Sequence, residues 1–365
     1  MSASATARTT EPGPARLSTL DRFLPVWIIA AMGLGLLLGR LVPGIGAALD
    51  SVKVADVSLP IAVGLLVMMY PVLAKVRYNE TGRVLGDKKL MITSLIINWL
   101  AAPAFMFALA WIFLPDLPEY RTGLIIVGLA RCIAMVLIWN DLACGDREAA
   151  AVLVAINSVF QVLAFGLLGW FYLQWLPNLL GLPTTSSEFS FWAITLSVLV
   201  FLGIPLLAGF LTRTIGEKTK GRTWYEDQFL PKIGPFALCG LLFTIVLLFA
   251  FQGDEITSNP LNVARIALPL LVYFFVVFAL GMVVGRGLKL GYEKTTTLAF
   301  TAAGNNFELA IAVAVGTYGV ASGQALAGVV GPLIEVPILV ALVYVALWAR
   351  RRFFPEHARS LEPQR

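Results

Sequence analysis

The chain has 365 residues, of which 58% are hydrophobic and only 13% charged, and its mean hydropathy is +0.83. Soluble domains carry about 25% charged residues, so this composition excludes a soluble globular domain and places most of the mass in lipid. One His and three Cys (Cys132, Cys144, Cys239) leave no CxxC and no His cluster, against a structural zinc, an iron–sulfur cluster or a disulfide framework. The net charge of +5 belongs to cytoplasmic loops rather than to a nucleic-acid surface.

Residues 1–20, rich in Ala, Ser, Thr and Pro, read as a disordered tail without the apolar region and cleavage site of a signal peptide. A membrane-crossing helix needs about 20 mostly apolar residues. Ten segments meet that need: 24–42, 57–74, 90–114, 122–140, 149–173, 190–211, 233–251, 264–285, 297–318 and 324–348. With the N-terminus inside, 22 Lys and Arg fall in cytoplasmic loops and tails, and only Arg40, Lys53, Arg121 and Arg265 fall outside. By the positive-inside rule this predicts ten spans with both termini cytoplasmic. An odd number of spans would destroy the asymmetry.

The basic loop around "TRTIGEKTKGR" divides the chain into five spans (21–175) and five more (190–349), followed by a basic tail at 350–365. Because each half has an odd number of spans, the second enters from the opposite side, and the halves are inverted-topology repeats. A shift of 174 residues superposes the spans. It pairs Gly35 with Gly209, Arg131 and Cys132 with Asn305 and Asn306, and Gln161 with Glu335.

The fourth and ninth spans carry the most polar intramembrane stretches, "ARC" and "AAGNNFELA", at matching positions. In inverted-repeat transporters such helices break near the midplane and line the solute site with free backbone groups. An arginine at a helix centre costs about 2.5–3.5 kcal/mol even on a lenient insertion scale, so Arg131 requires a protein or water partner. The intramembrane acids available to it are Glu308 and Glu335. Such a pair either ties the halves together structurally or takes part in a transport cycle.

Glu308 can accept and lose a proton, while Asn305, Asn306 and Asn157 either hold a small polyhydroxylated solute or satisfy broken backbone. Taken alone, Cys132 is a small buried hydrophobe. Beside Arg131 it becomes a reactive thiol, suited to one reversible bond with a soft solute. Cys144 and Cys239 lack such surroundings. The Gly-containing stretches lack the context of a nucleotide site. Tryptophans near span ends are interfacial anchors, with Trp139 a possible exception close to Cys132.

With "GLARCIAMVLIWNDLACGD", "TAAGNNFELAIAVA" and "GPLIEVPILVAL" in this order, the chain resembles the ACR3 family of arsenite efflux permeases, in the bile acid/arsenite/riboflavin transporter superfamily. The resemblance implies an all-α polytopic fold like that of sodium–bile acid symporters, with a core domain, a panel domain, and the fourth and ninth helices broken and crossing. It implies efflux of arsenite, in some members with antimonite, across the cell membrane by proton antiport, giving arsenical resistance without a cofactor or enzymatic step. The essential cysteine of that family falls on Cys132, as the thiol ligand of arsenite, and its essential glutamate on Glu308. Further family positions fall on Asn98, Trp111, Arg131, Trp139, Asn157, Asn306 and Glu335.

Two other readings compete. A cation-coupled symporter of an organic anion is disfavoured by Arg131, whose fixed charge would repel sodium or take its place. An intramembrane thiol oxidoreductase would need a resolving cysteine nearby, and Cys144 lies beyond the expected end of its span.

Overall fold

The structure, a computed structural model, describes residues 23–42, 44, 45, 51, 53, 54, 57–76, 87–133, 135–183, 190–258 and 260–354. The N-terminal tail and most of the C-terminal tail lie outside the described residues. Helices fall on the expected segments: α1 (Leu24–Leu41), α2 (Leu59–Ala74), α3 (Lys88–Phe113), α4 (Pro118–Leu129), α5 (Met135–Leu142), α6 (Arg147–Leu179), α7 (Phe191–Lys220), α8 (Leu230–Ser258), α9 (Pro260–Gly287), α10 (Gly291–Ala303), α11 (Phe307–Tyr318) and α12 (Gly323–Phe353). A two-residue strand pair, Lys53–Val54 with Val57–Ser58, precedes α2 and is a small departure from an all-α chain. Among the described residues, six helical stretches are long and apolar enough to cross a membrane, namely α3, α6, α7, Arg222–Gly253, α9 and α12.

The helix ends obey local chemistry. Asp87, Asp146, Ser190, Asn306 and Ser322 each precede a helix and accept a backbone N–H from its first turn, satisfying donors that have no intrahelical partner. α12 ends on Arg350, Arg351 and Arg352, where basic charge complements the helix dipole.

Two groups of helices form. In the first, α8 packs on α1 and α2, and α2 packs on α7. Two glycines permit the close approach. A Cβ on Gly35 of α1 would stand 2.6 Å from Val246 O in α8, and one on Gly209 of α7 would stand 2.8 Å from Ala74 N in α2. In the second group α9 packs on α3, α10 and α12, while α12 also packs on α4 and α11. The expected spans 122–140 and 297–318 are each interrupted, between α4 and α5 and between α10 and α11. Both interruptions lie within this second group.

Candidate functional site: the crossing of two interrupted helices

α4 stops at Leu129 and α10 at Ala303, and the next residue of each is extended: Ala130 at φ −83°, ψ 114° and Gly304 at φ −66°, ψ 139°. The two extended segments meet in an antiparallel bridge between Arg131 and Asn305. Cys132 N–H donates to Gly304 O at 3.3 Å, and Asn306 N–H to Ala130 O at 3.0 Å. Arg131 N–H donates to Gln161 Oε1 at 2.9 Å, and Asn305 N–H to Glu335 Oε1 at 3.1 Å. Exchanging residues 174 apart, the separation of Arg131 and Asn305, turns each bond of a pair into its mate. At membrane depth a backbone N–H freed by a helix break must find a partner inside the protein. Gln161 on α6 and Glu335 on α12 provide it, which accounts for two polar residues in otherwise apolar spans.

Arg131 is fully buried. Its Nη1 donates to Tyr273 Oη at 2.7 Å and to Ala302 O at 3.3 Å, and its Nη2 donates to Asn305 Oδ1 at 3.0 Å and to Gly128 O. Its partners are thus a hydroxyl, an amide and two carbonyls, rather than the carboxylate of Glu308 or Glu335. Gly128 and Ala302 lie in the last turns of α4 and α10, where carbonyls lack intrahelical donors and the helix dipole is negative. One guanidinium therefore caps both helix ends at the point where they converge. Tyr273, on α9, also donates to Ala302 O at 3.4 Å and stacks against Phe105.

Cys132 is buried directly after Arg131 and faces Gly304. A Cβ on Gly304 would stand 3.0 Å from Cys132 Cβ and 3.5 Å from its Sγ, so the missing side chain eases the close approach of the two segments. Around the crossing, Asn157 Nδ2, Asn305 Nδ2, Asn306 Nδ2, Arg131 Nε and Glu335 Oε2 are buried without a hydrogen-bond partner. A buried polar group left unsatisfied costs about 1–3 kcal/mol, so this cluster calls for water or a polar solute. Glu308 lies in the first turn of α11, behind the Asn306 cap, and is buried, as is Glu335.

Of the other expected residues, Trp111 and Asn98 lie on α3 and Trp139 on α5. Trp111 is at the α3–α4 turn, where the Arg121 guanidinium covers its ring at 3.7 Å and donates to Leu114 O and Pro115 O. Trp139 is buried in α5 with its indole N–H unmatched. Asn98 sits in a π-helical turn of α3, Ile97–Ala101, and donates to Ser94 O at 2.9 Å. Tyr273 was not signalled by its own apolar span; only comparison with the residue 174 positions earlier, Trp99, marks it. The three cysteines form no disulfide, and among the described residues no group of three or more His, Cys, Asp or Glu is placed to hold a metal ion.

Outside the spans, ion pairs join the loops at either end. Arg265 hydrogen-bonds Asp116 and holds its carboxyl down at about 2. Lys294 bonds Asp87 at 2.6 Å and keeps that carboxyl below its ordinary value.

Comparison with known proteins matches the profile of the Sodium Bile acid symporter family over residues 62–259. The chain is 63% identical over 346 residues to the arsenical-resistance protein Acr3 of Corynebacterium glutamicum, covering 95% of this chain and 94% of that one. It is 37% identical to an uncharacterized transporter of Synechocystis (95% and 94% covered) and 34% identical to the arsenical-resistance protein Acr3 of Alkaliphilus metalliredigens (93% and 95% covered).

Proposed function

The chain belongs to the Acr3 arsenical-resistance family, within the Sodium Bile acid symporter family, and on that premise we propose that it exports arsenite from the cytoplasm in exchange for protons. It does so as a ten-span protein of two inverted repeats, with both termini cytoplasmic, in the cell membrane. The paired hydrogen bonds of the crossing, related by a 174-residue shift, support the repeat, and the charge count supports the orientation.

The observation that carries this reading is the Arg131 guanidinium between the C-terminal carbonyls of α4 and α10. Such carbonyl ends would otherwise attract a mobile cation. A side chain that fills the position favours a proton, rather than sodium, as the coupling ion. Cys132 stands beside it, among amide groups left without partners.

Arsenite is an uncharged trihydroxide near neutral pH. At Cys132 a sulfur–arsenic bond forms as an arsenic–oxygen bond breaks, and the thiol proton departs with that hydroxyl as water. The reverse step, with water, releases arsenite on the far side. Asn157, Asn305 and Asn306 hold the remaining hydroxyls, Trp139 closes the site, and Asn98 and Trp111 support the helices around it. Glu308 carries the proton, while Arg131 and Glu335 tune it. Rocking of the α1, α2, α7 and α8 group against the other alternates access.

The test is arsenite accumulation in cells lacking their own exporter. The wild-type chain should lower it and Cys132→Ser should not, with equal protein in the membrane; full export by Cys132→Ser would remove the thiol from the mechanism. In everted vesicles, uptake should follow the proton gradient and be indifferent to sodium, and Glu308→Gln should lose the dependence on pH.

A further inference from the structure

α3 is not a uniform helix. Over Ile97–Ala101 it takes one π-helical turn, and the extra residue shifts the phase so that Asn98 and Trp99 face inward while Leu100 faces out. Single π turns of this kind recur at functional sites. The Trp99 ring is buried, rests 4.3 Å from the ring of Phe160 on α6, and donates its indole N–H to Asn157 Oδ1 at 3.2 Å.

That bond has a chemical consequence. An indole nitrogen is a donor only, so it selects which end of the Asn157 amide faces it. The oxygen must turn toward Trp99, and the NH2 group must turn away. Asn157 Nδ2 is indeed buried without a partner. Asn157 is also tied to the crossing from its other side, since Gln161 Nε2 donates to Asn157 O at 3.2 Å while Gln161 Oε1 receives the Arg131 amide. Asn157 thus receives the indole on its side chain and Gln161 on its backbone carbonyl, which places Trp99 one residue away from the crossing. At the position 174 residues later stands Tyr273, whose hydroxyl holds the Arg131 guanidinium. Each half of the molecule thus directs a buried polar aromatic at the crossing.

We propose that Trp99 is a positioning residue of the solute site: its indole N–H fixes the Asn157 side chain as a hydrogen-bond donor, so that the solute must present an acceptor there, as a hydroxyl oxygen of arsenite does. This rests on the assignment of the crossing as the arsenite site. Trp99 touches the solute only through Asn157. Replacing it by Phe preserves a ring but leaves the amide free to turn either end to the solute, so its NH2 donor is no longer fixed in place.

The test uses the full chain in everted vesicles, with apparent KM and Vmax for arsenite measured for wild type, Trp99→Phe, Asn157→Ala and the double variant. A neutral hydrogen bond is worth about 0.5–1.5 kcal/mol, so Trp99→Phe should raise the apparent KM roughly 2- to 10-fold with Vmax little changed. In the Asn157→Ala background the same change should have no further effect. Additive losses, or a loss confined to Vmax, would overturn the proposal. If the Phe variant does not reach the membrane, Trp99→His decides, because it retains a ring N–H. An apparent KM near wild type supports the proposal, and one as high as that of Asn157→Ala overturns it. Failure of wild-type vesicles to take up arsenite would instead refute the proposed function.

Discussion

Replacing Glu335 by Gln should leave the crossing standing, whereas replacing it by Leu should weaken it. Glu335 Oε1 accepts the Asn305 N–H at 3.1 Å, and both residues are wholly buried. A Leu of similar bulk leaves that amide with no acceptor, at a cost of about 1–3 kcal/mol, which is roughly a 5- to 150-fold loss in the folded-to-unfolded ratio. A Gln keeps an acceptor oxygen in the same place. The molecule contains its own control, because Gln161 performs the corresponding task for the Arg131 N–H at 2.9 Å. Gln161→Leu should therefore lose stability of the same order as Glu335→Leu. The assay is thermal melting of the purified protein in detergent, with transport followed in parallel. A Glu335→Gln protein that melts with the Leu variant, or a Leu variant that melts with wild type, would refute the assignment of this residue as a backbone acceptor. A Gln variant that melts normally but no longer transports would show that the acid itself takes part in the cycle.

Arg131→Lys keeps the charge but replaces a planar fork by a single ammonium, which cannot reach Tyr273, Ala302, Gly128 and Asn305 together. Transport should fall at least about tenfold, a loss of about 1.4 kcal/mol or more, and lysine activity equal to wild type in vesicle uptake would contradict the double capping of α4 and α10. Gly304→Ala drives a methyl to within 3.0 Å of Cys132 Cβ; overpacking of this kind costs about 1–3 kcal/mol, and slower modification of Cys132 by a thiol reagent together with a lowered melting point would register it. For Asp116 the folded value of about 2 lies below its ordinary 3.8, so the stabilisation from Arg265 is complete above the higher value and fades as pH falls through the lower. Asp116→Asn should accordingly leave the pH profile of transport unchanged between about pH 5.5 and 8, and a shifted profile would place proton chemistry at this loop instead of at Glu308.

Helix positions were legible because lipid demands long apolar runs, and the two interruptions because "ARC" and "GNNFE" are the polar exceptions within them. The partnership of Gln161 and Glu335 was legible as a register, though not as a shared task. The partners of Arg131 were not legible. Sequence draws attention to acids, whereas two of the four groups that bind it are backbone carbonyls, which every residue carries and none announces. The π turn of α3 was hidden for a similar reason: in a helix apolar on most sides, one extra residue leaves no break in periodicity. Trp99 therefore carried no signal inside its apolar span, and only the phase shift turns it inward.

The guanidinium at the crossing also bears on the energetics of direction. In an inverted repeat the pseudo-twofold axis exchanges the inward-facing and outward-facing forms, and perfect symmetry would make them equal in free energy. Gly128 and Ala302 obey that symmetry, but the residue that binds both is contributed by one repeat alone, with Asn305 at its image. A charge supplied by one repeat alone would lift that degeneracy. On the proposed alternating-access reading, the two access states would rest at unequal populations before any gradient is applied, with the preference set by which half of the chain supplied the arginine.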